Sequence, residues 1–154
     1  NKYLKLPHIL IASHTSQYLL PKIQETHPDA TADDIISFMV KVPDNLKGKV
    51  YANEVVKGID FDDVSLIARG CGIASAILVQ AGADIESISS THVRGAHLIS
   101  SARIGDIVDN NLETEIKNLY VGDGCVLPEA PGLPPIYTIL ALSRRLGQHL
   151  AEIL

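Results

Sequence analysis

The sequence predicts an α+β fold, in which a few mostly antiparallel strands and helices are followed by a short strand, a loop and a closing helix. Three observations carry this. Short stretches rich in β-branched and aromatic residues alternate with a longer stretch of three-and-four apolar spacing. Gly, Pro, Asn and Asp clusters punctuate the chain between them. An amphipathic pattern then closes the chain behind Pro134-Pro135. With 154 residues, 46% of them hydrophobic, there is material for one ordinary core, and no internal repeat or low-complexity linker divides it.

Taken in order, residues 15–24 read as a short helix ended by the turn signal Thr26-His27-Pro28-Asp29. Residues 34–42 have the composition of a partly buried strand, and residues 49–52 that of a returning strand. The intervening Pro43-Asp44-Asn45-Leu46-Lys47-Gly48 turn makes the two a hairpin. Asp60 or Asp62 can cap the next helix, whose apolar positions are Val64, Ile67, Ala68, Cys71, Ala74 and Leu78, with Gly82 as its stop. Residues 85–111 are polar and Ser-rich, the kind of loop on which function tends to sit. Residues 118–121 read as a short buried strand. The last helix opens at Pro134-Pro135, because proline is pre-organised for a first helical turn, and its stripe is Ile139, Leu142, Leu146, Leu150 and Ile153.

Composition excludes several function classes. A net charge of -5, with no basic run longer than Arg144-Arg145, leaves no footprint for a phosphate backbone, so nucleic acid is not an expected partner. The longest nearly uncharged stretch, residues 70–83, is short of the roughly 18 apolar residues that a membrane span needs. Cys71 and Cys125 form no C-x-x-C and no disulfide framework, so buried free thiols in a reducing compartment, the cytoplasm, are expected. His8, His14, His27 and His149 have no partner at metal-ligand spacing. The N-terminus lacks an initiator Met and an apolar signal segment, and reads as a cut chain or as a partner chain whose start is missing.

The most informative region runs from the 118–121 segment through Gly122-Asp123-Gly124 and a Pro-rich loop into the N-terminus of the last helix. Unpaired N–H groups and the positive end of the helix dipole would face whatever lies beyond residues 133–137, which suits an anion or an electron-rich ligand. Asp123, flanked by two glycines, could accept from ligand hydroxyls. By the residues alone, a plain turn and cap is the alternative, and both stay open.

The run Asn118-Leu119-Tyr120-Val121-Gly122-Asp123-Gly124-Cys125-Val126-Leu127-Pro128, then Pro131-Gly132-Leu133-Pro134-Pro135-Ile136-Tyr137-Thr138-Ile139, resembles the closing signature of the FAD-dependent glucose-methanol-choline oxidoreductases. Ala141-Leu142 and Arg144 or Arg145 complete it. Upstream, Ala96-His97-Leu98-Ile99-Ser100-Ser101-Ala102-Arg103-Ile104-Gly105 resembles that family's A-H-x-x-[GS]-[ST]-x-R-M-G segment, and its Ser-Ser form is similar to long-chain alcohol oxidases. The resemblance implies that residues 1–95 are part of a substrate domain. Residues 96–154 would be a C-terminal signature segment that completes a Rossmann-like FAD-binding domain.

It further implies oxidation of the CH–OH group of a small-molecule alcohol by hydride transfer to FAD, with His97 as the base. Histidine suits that role because its unperturbed pKa of about 6.5 leaves it neutral and basic near physiological pH. Asp123 and Gly124, with Pro135, Ile136 and Thr138 of the helix start, are the implied cofactor contacts. Pro134 stands among them where the family has Asn or His, so a side-chain donor worth about 3 kcal/mol of transition-state stabilisation is missing. His92 or Tyr137 are the candidates to replace it. Arg103 is expected to anchor its loop through Asp106 or Asp109, and Cys125 to be a packed small residue. No G-x-G-x-x-G is present to grip the FAD pyrophosphate, so an FAD-binding partner polypeptide carrying that fingerprint is expected. The alternative is a non-catalytic flavin-binding or structural subunit of a larger redox complex.

Overall fold

The computed structural model describes residues 9–45, 47–95 and 97–153. His8 and the rest of the N-terminal start, Leu46 of the expected turn and Ala96 of the histidine motif lie outside the described residues. The architecture is α+β, with two small sheets and three α-helices among the described residues, and the chain divides into two units.

Unit 1 comprises Asn1–Pro43 and Asp60–Arg94. Its strands are β1 (Leu10–Ser13) and β2 (Phe38–Lys41), paired antiparallel with Leu10 opposite Lys41 and Ser13 opposite Phe38. Beyond the ladder the His14 N–H donates to the Ser37 carbonyl at 3.0 Å, and the Ser37 hydroxyl donates back to the His14 carbonyl. Between the strands lies α1 (Leu20–Ile23), shorter than the expected helix over 15–24. A 3-10 turn at Ala32–Asp34 follows, with Asp34 folded back on the Thr31 N–H and hydroxyl at 2.9 and 2.7 Å.

The long helix α2 (Phe61–Gln80) starts and stops where its sequence says it should. Asp60 is the cap: its carboxylate accepts from the Asp63 N–H at 3.0 Å, while the buried Asp63 carboxylate accepts from the Asp60 N–H at 3.2 Å. At the other end Gly82 takes φ +97°, Ala83 N–H donates to the Leu78 carbonyl and Gly82 N–H to that of Val79, so the last carbonyls are satisfied in a Schellman arrangement. The buried face differs from the expected stripe. Val64 and Ala68 are exposed, and the contact with the sheet centres on Gly70, where an added Cβ would collide with Val40 and lie 2.9 Å from Ile9 Cγ2. A glycine carries no hydrophobicity, so apolar spacing could not mark it as the point of closest approach.

Unit 2 comprises Asp44–Ile59 and Gly95–Leu154. Strands β3 (Lys49–Val50) and β4 (Val55–Val56) pair with each other across a turn closed by Tyr51 N–H to the Glu54 carbonyl at 2.8 Å. The expected hairpin between residues 34–42 and 49–52 is therefore replaced by two separate pairings. A tight local turn gives Lys49–Val50 a nearby partner, while β2 takes β1. The expected strand over 118–121 is also corrected. Only Tyr120 bridges, to Glu113, because Asn118 adopts φ +66° and breaks the extended run. The core of this unit is Val108, Leu112 and Val126, against which Ile104, Val121, Leu142 and Leu146 pack. The last two come from α3 (Ile136–Ile153), which lies against Gly122, whose carbonyl accepts from the Ser143 hydroxyl at 2.6 Å.

Candidate functional site

Two loop segments and the start of α3 build one open pocket of about 350 Å³ within unit 2. His97, Leu98 and Ile99 line one side. Asp123, Gly124 and Cys125 come from the 3-10 turn at Gly124–Val126 and the residue before it, Pro135 immediately precedes α3, and Ile139 lies at the end of its first turn. Residues widely separated in sequence thus meet at one place.

Local hydrogen bonds account for each wall. The chain after His97 is zipped to the 3-10 turn by Ala102 N–H to the Cys125 carbonyl and Ile104 N–H to that of Val126, both 3.0 Å, and by the Ser100 hydroxyl to the Leu127 carbonyl at 2.8 Å. Asp123 caps the turn, one carboxylate oxygen accepting from Cys125 N–H at 2.8 Å. Gly124 is buried, and a Cβ there would stand 3.3 Å from Ile139 Cδ1 and 3.5 Å from the Leu98 carbonyl. Its small size lets the histidine loop and α3 close in together. Ile139 N–H donates to the Pro135 carbonyl at 2.9 Å and begins the helical ladder, so the N–H groups just before it have no partner within the helix.

Of the expected site residues, His97, Asp123, Gly124 and Pro135 are brought together. Pro134, Ile136 and Thr138 are exposed and are not among the residues lining the pocket, and Tyr137 is 83% exposed. His92 belongs to unit 1, where it is exposed and its carbonyl accepts from the Thr91 hydroxyl at 3.4 Å. Arg103 pairs with Asp106 at 2.5 Å. Asp109 instead accepts from the N–H groups of Asn111 and Glu113 at 2.8 and 3.0 Å, which shapes the loop around Leu112.

Cys125 was expected only as a packed residue; the pocket wall is an addition. The Ser101 hydroxyl acts to lower its thiol pKa, but burial and the Asp123 carboxylate outweigh that and leave it raised, so the thiol stays protonated at neutral pH. Cys71 is likewise a free, half-buried thiol. Behind the site, burial first and then the Glu113 carboxylate raise the Tyr120 pKa, and its ring meets that of His149 edge-on at 6.3 Å. The pocket-lining apolar residues Leu98, Ile99 and Ile139 could have been found only by knowing which loops meet.

The profile of GMC oxidoreductases, in its C-terminal domain, matches residues 29–143. The chain belongs to that family. The match spans both the histidine loop and the Asp123 turn, and GMC enzymes generally bind FAD. The chain is also 35% identical over 144 residues to an uncharacterized protein of Methanocaldococcus jannaschii. That alignment covers 93% of this chain and 37% of the archaeal protein, so the chain spans well under half of its relative's length. No solved structure matches it. Among the described residues, no helix is long and apolar enough to cross a membrane.

The pocket's donor set fits one end of a flavin. It offers a carboxylate acceptor at Asp123 and an imidazole at His97 between apolar walls, beside the start of α3, where the N–H groups of Ile136 to Thr138 have no partner within the helix. Its volume is at the lower end of small-molecule sites, roughly 300 to 1,000 Å³. That is room for a ring system but not for a whole dinucleotide, and the sequence holds no G-x-G-x-x-G.

Proposed function

We propose that this GMC chain supplies the C-terminal part of a flavin-dependent oxidoreductase that oxidises the CH–OH group of an alcohol. The observation that carries the reading is that His97, Asp123 and the first turn of α3 line one pocket. FAD would supply the acceptor for the hydride of the carbinol carbon, beside Asp123, Gly124 and Pro135, which would hold it. His97 takes the hydroxyl proton: it stands exposed at the pocket wall, with no hydrogen bond to its ring among the described residues. The N–H groups at the start of α3 oppose negative charge that develops beside them, and the free acceptor capacity of Asp123 orients hydroxyl groups. Leu98, Ile99, Pro135 and Ile139 hold an apolar wall around the reacting carbon.

In this reading residues 1–95 contribute to a substrate domain, and residues 96–154 complete the FAD-binding domain. The dinucleotide fingerprint comes from another polypeptide or segment. Large apolar side chains that stand free support an additional covering surface, among them Phe61 at 84% and Ile85 at 72% exposed. A second reading, a flavin-binding subunit without turnover, is favoured by Pro134, which has no donor and is exposed.

The test is anaerobic bleaching of the flavin absorbance of the natively purified protein by a panel of primary and secondary alcohols. The expected outcome is reduction that slows about 10²- to 10⁴-fold in His97→Ala. Flavin that is bound yet never reduced, and indifferent to His97→Ala, leaves only the second reading.

A further inference from the structure

Among the described residues His97 has no side-chain partner to hold its ring, so its place in the pocket is set by the backbone it hangs from. That backbone is gripped immediately downstream. The Leu98 carbonyl and Ile99 pack over the bare Cα of Gly124, and at the next residue Ser100 turns the chain with φ +67°. This is the left-handed region, which glycine enters freely and serine does not. A glycine there would make the same turn without strain but would lose the hydroxyl that donates to the Leu127 carbonyl at 2.8 Å. Leu127 is buried and Ser100 half-buried, so the bond is partly shielded from competing water. The two backbone bonds from Ala102 and Ile104 act further along and cannot fix the segment between His97 and Ser100 by themselves.

We propose that Ser100 is the positioning residue for His97. Its hydroxyl clamp on Leu127 holds the histidine loop against the Asp123–Cys125 turn, and a strained backbone is retained to keep that hydroxyl. The inference rests on the reading of His97 as the base. A purely structural serine would be expected to follow stability alone, whereas a positioning serine separates stability from the state of the histidine ring.

The experiment compares histidine-ring NMR signals in natively purified protein labelled at histidine, with His97→Asn to assign the signal. In Ser100→Gly, relief of the left-handed strain offsets the lost hydrogen bond, so the thermal midpoint and flavin content stay near the parent's. The His97 signal moves or broadens, while those of His14, His27 and His149 remain in place. Ser100→Ala, which keeps the strain and lacks the hydroxyl, moves the same signal and also lowers the midpoint. With benzyl alcohol as the probe, flavin reduction in Ser100→Gly slows about 10- to 100-fold at unchanged KM, the size of effect that an ångström of misplacement produces. His97 signals identical to the parent's in Ser100→Gly overturn the proposal. So does a shift of all histidine rings together, which marks a structural role. If Ser100→Gly moves the His97 signal but His97→Ala reduces flavin at the parental rate, the base assignment is what fails, and the positioning role falls with it.

Discussion

The two units achieve order by different means. Unit 1 relies on regular elements, a capped 20-residue helix laid on a two-stranded sheet, yet its buried hydrophobic residue among those described is the small Ala74. Unit 2 has little regular structure before α3, yet it contains the two largest fully buried side chains, Leu112 and Val126. Irregular backbone is held there by the Ser100 hydroxyl, which donates to a backbone carbonyl, and by the Asp109, Glu113 and Asp123 carboxylates, which accept from backbone N–H groups. The difference teaches where a site can be built. A loop fixed by polar clamps around a few buried anchors can aim side chains that a helix or strand could not, and the pocket lies on that loop.

Leu112 is the anchor whose loss is expected to cost unit 2 most. It is 1% exposed and sits at φ +67°, so Leu112→Ala keeps the strained backbone and opens a cavity. The expected loss is about 2–5 kcal/mol by denaturant unfolding. In unit 1, Phe61→Ala, at an 84% exposed position, is expected to stay within about 0.5 kcal/mol. Comparable losses from the two would show that the irregular unit is not organised around its anchors.

Two glycines of α2 sharpen the account of unit 1. Gly70→Ala forces a methyl group against Val40 and Ile9 and is expected to cost about 1–3 kcal/mol, with part of the loss recovered in the pair with Val40→Ala. Gly72 has open space at its Cβ, so Gly72→Ala should stabilise the helix by up to about 1 kcal/mol. Thermal or urea unfolding of the two variants side by side reads the sign.

A smaller effect is expected from Asp60→Ala, which removes the capping carboxylate of α2 and costs about 1 kcal/mol. Asp60→Asn, which can still accept from the Asp63 N–H, should recover much of it.

The smallest effect is visible only in acid. The Glu86 N–H, and after it His27, hold the Asp84 pKa below the ordinary carboxylate value, and the Thr31 N–H and hydroxyl do the same for Asp34. A carboxyl whose folded pKa is depressed contributes stability that is present above its unfolded value of about 3.9 and is lost as pH falls through the lower, folded value. Asp84→Asn should therefore flatten the stability curve below about pH 4. A curve that stays parallel to the parent's would count against the Asp84 contact.

Local chemistry made much of this legible beforehand. The cap of α2 by Asp60, one of the two candidates Asp60 and Asp62, the Gly82 stop and the amphipathic pattern of α3 are all decided within a few residues, and the structure has each of them, adding the return bond to Asp63. The Arg103 anchor also follows from neighbouring residues, although spacing could not choose between Asp106 and Asp109. What spacing missed depends on partners far along the chain. β1 is too short to be recognised without β2, and the closest approach of α2 is a residue with no side chain. A single left-handed residue, Asn118, was enough to turn an expected strand into a bridge.

The candidate site divides the same way. The resemblance to the family's motifs named His97, Asp123, Gly124 and Pro135 one by one, each from its place in a matched segment. Only the tertiary structure added Ile139 to the pocket wall, kept Pro135 there and left Pro134, Ile136 and Thr138 facing solvent, since which side of a helical turn is covered depends on what packs against it. The clamp from Ser100 to Leu127 is of that second kind. The sequence by itself determined the helices and the chemical inventory, whose causes are local. The tertiary structure decided strand pairing, the buried anchors and the meeting of His97 with the Asp123 turn, because these are fixed by contacts between residues that no local pattern connects.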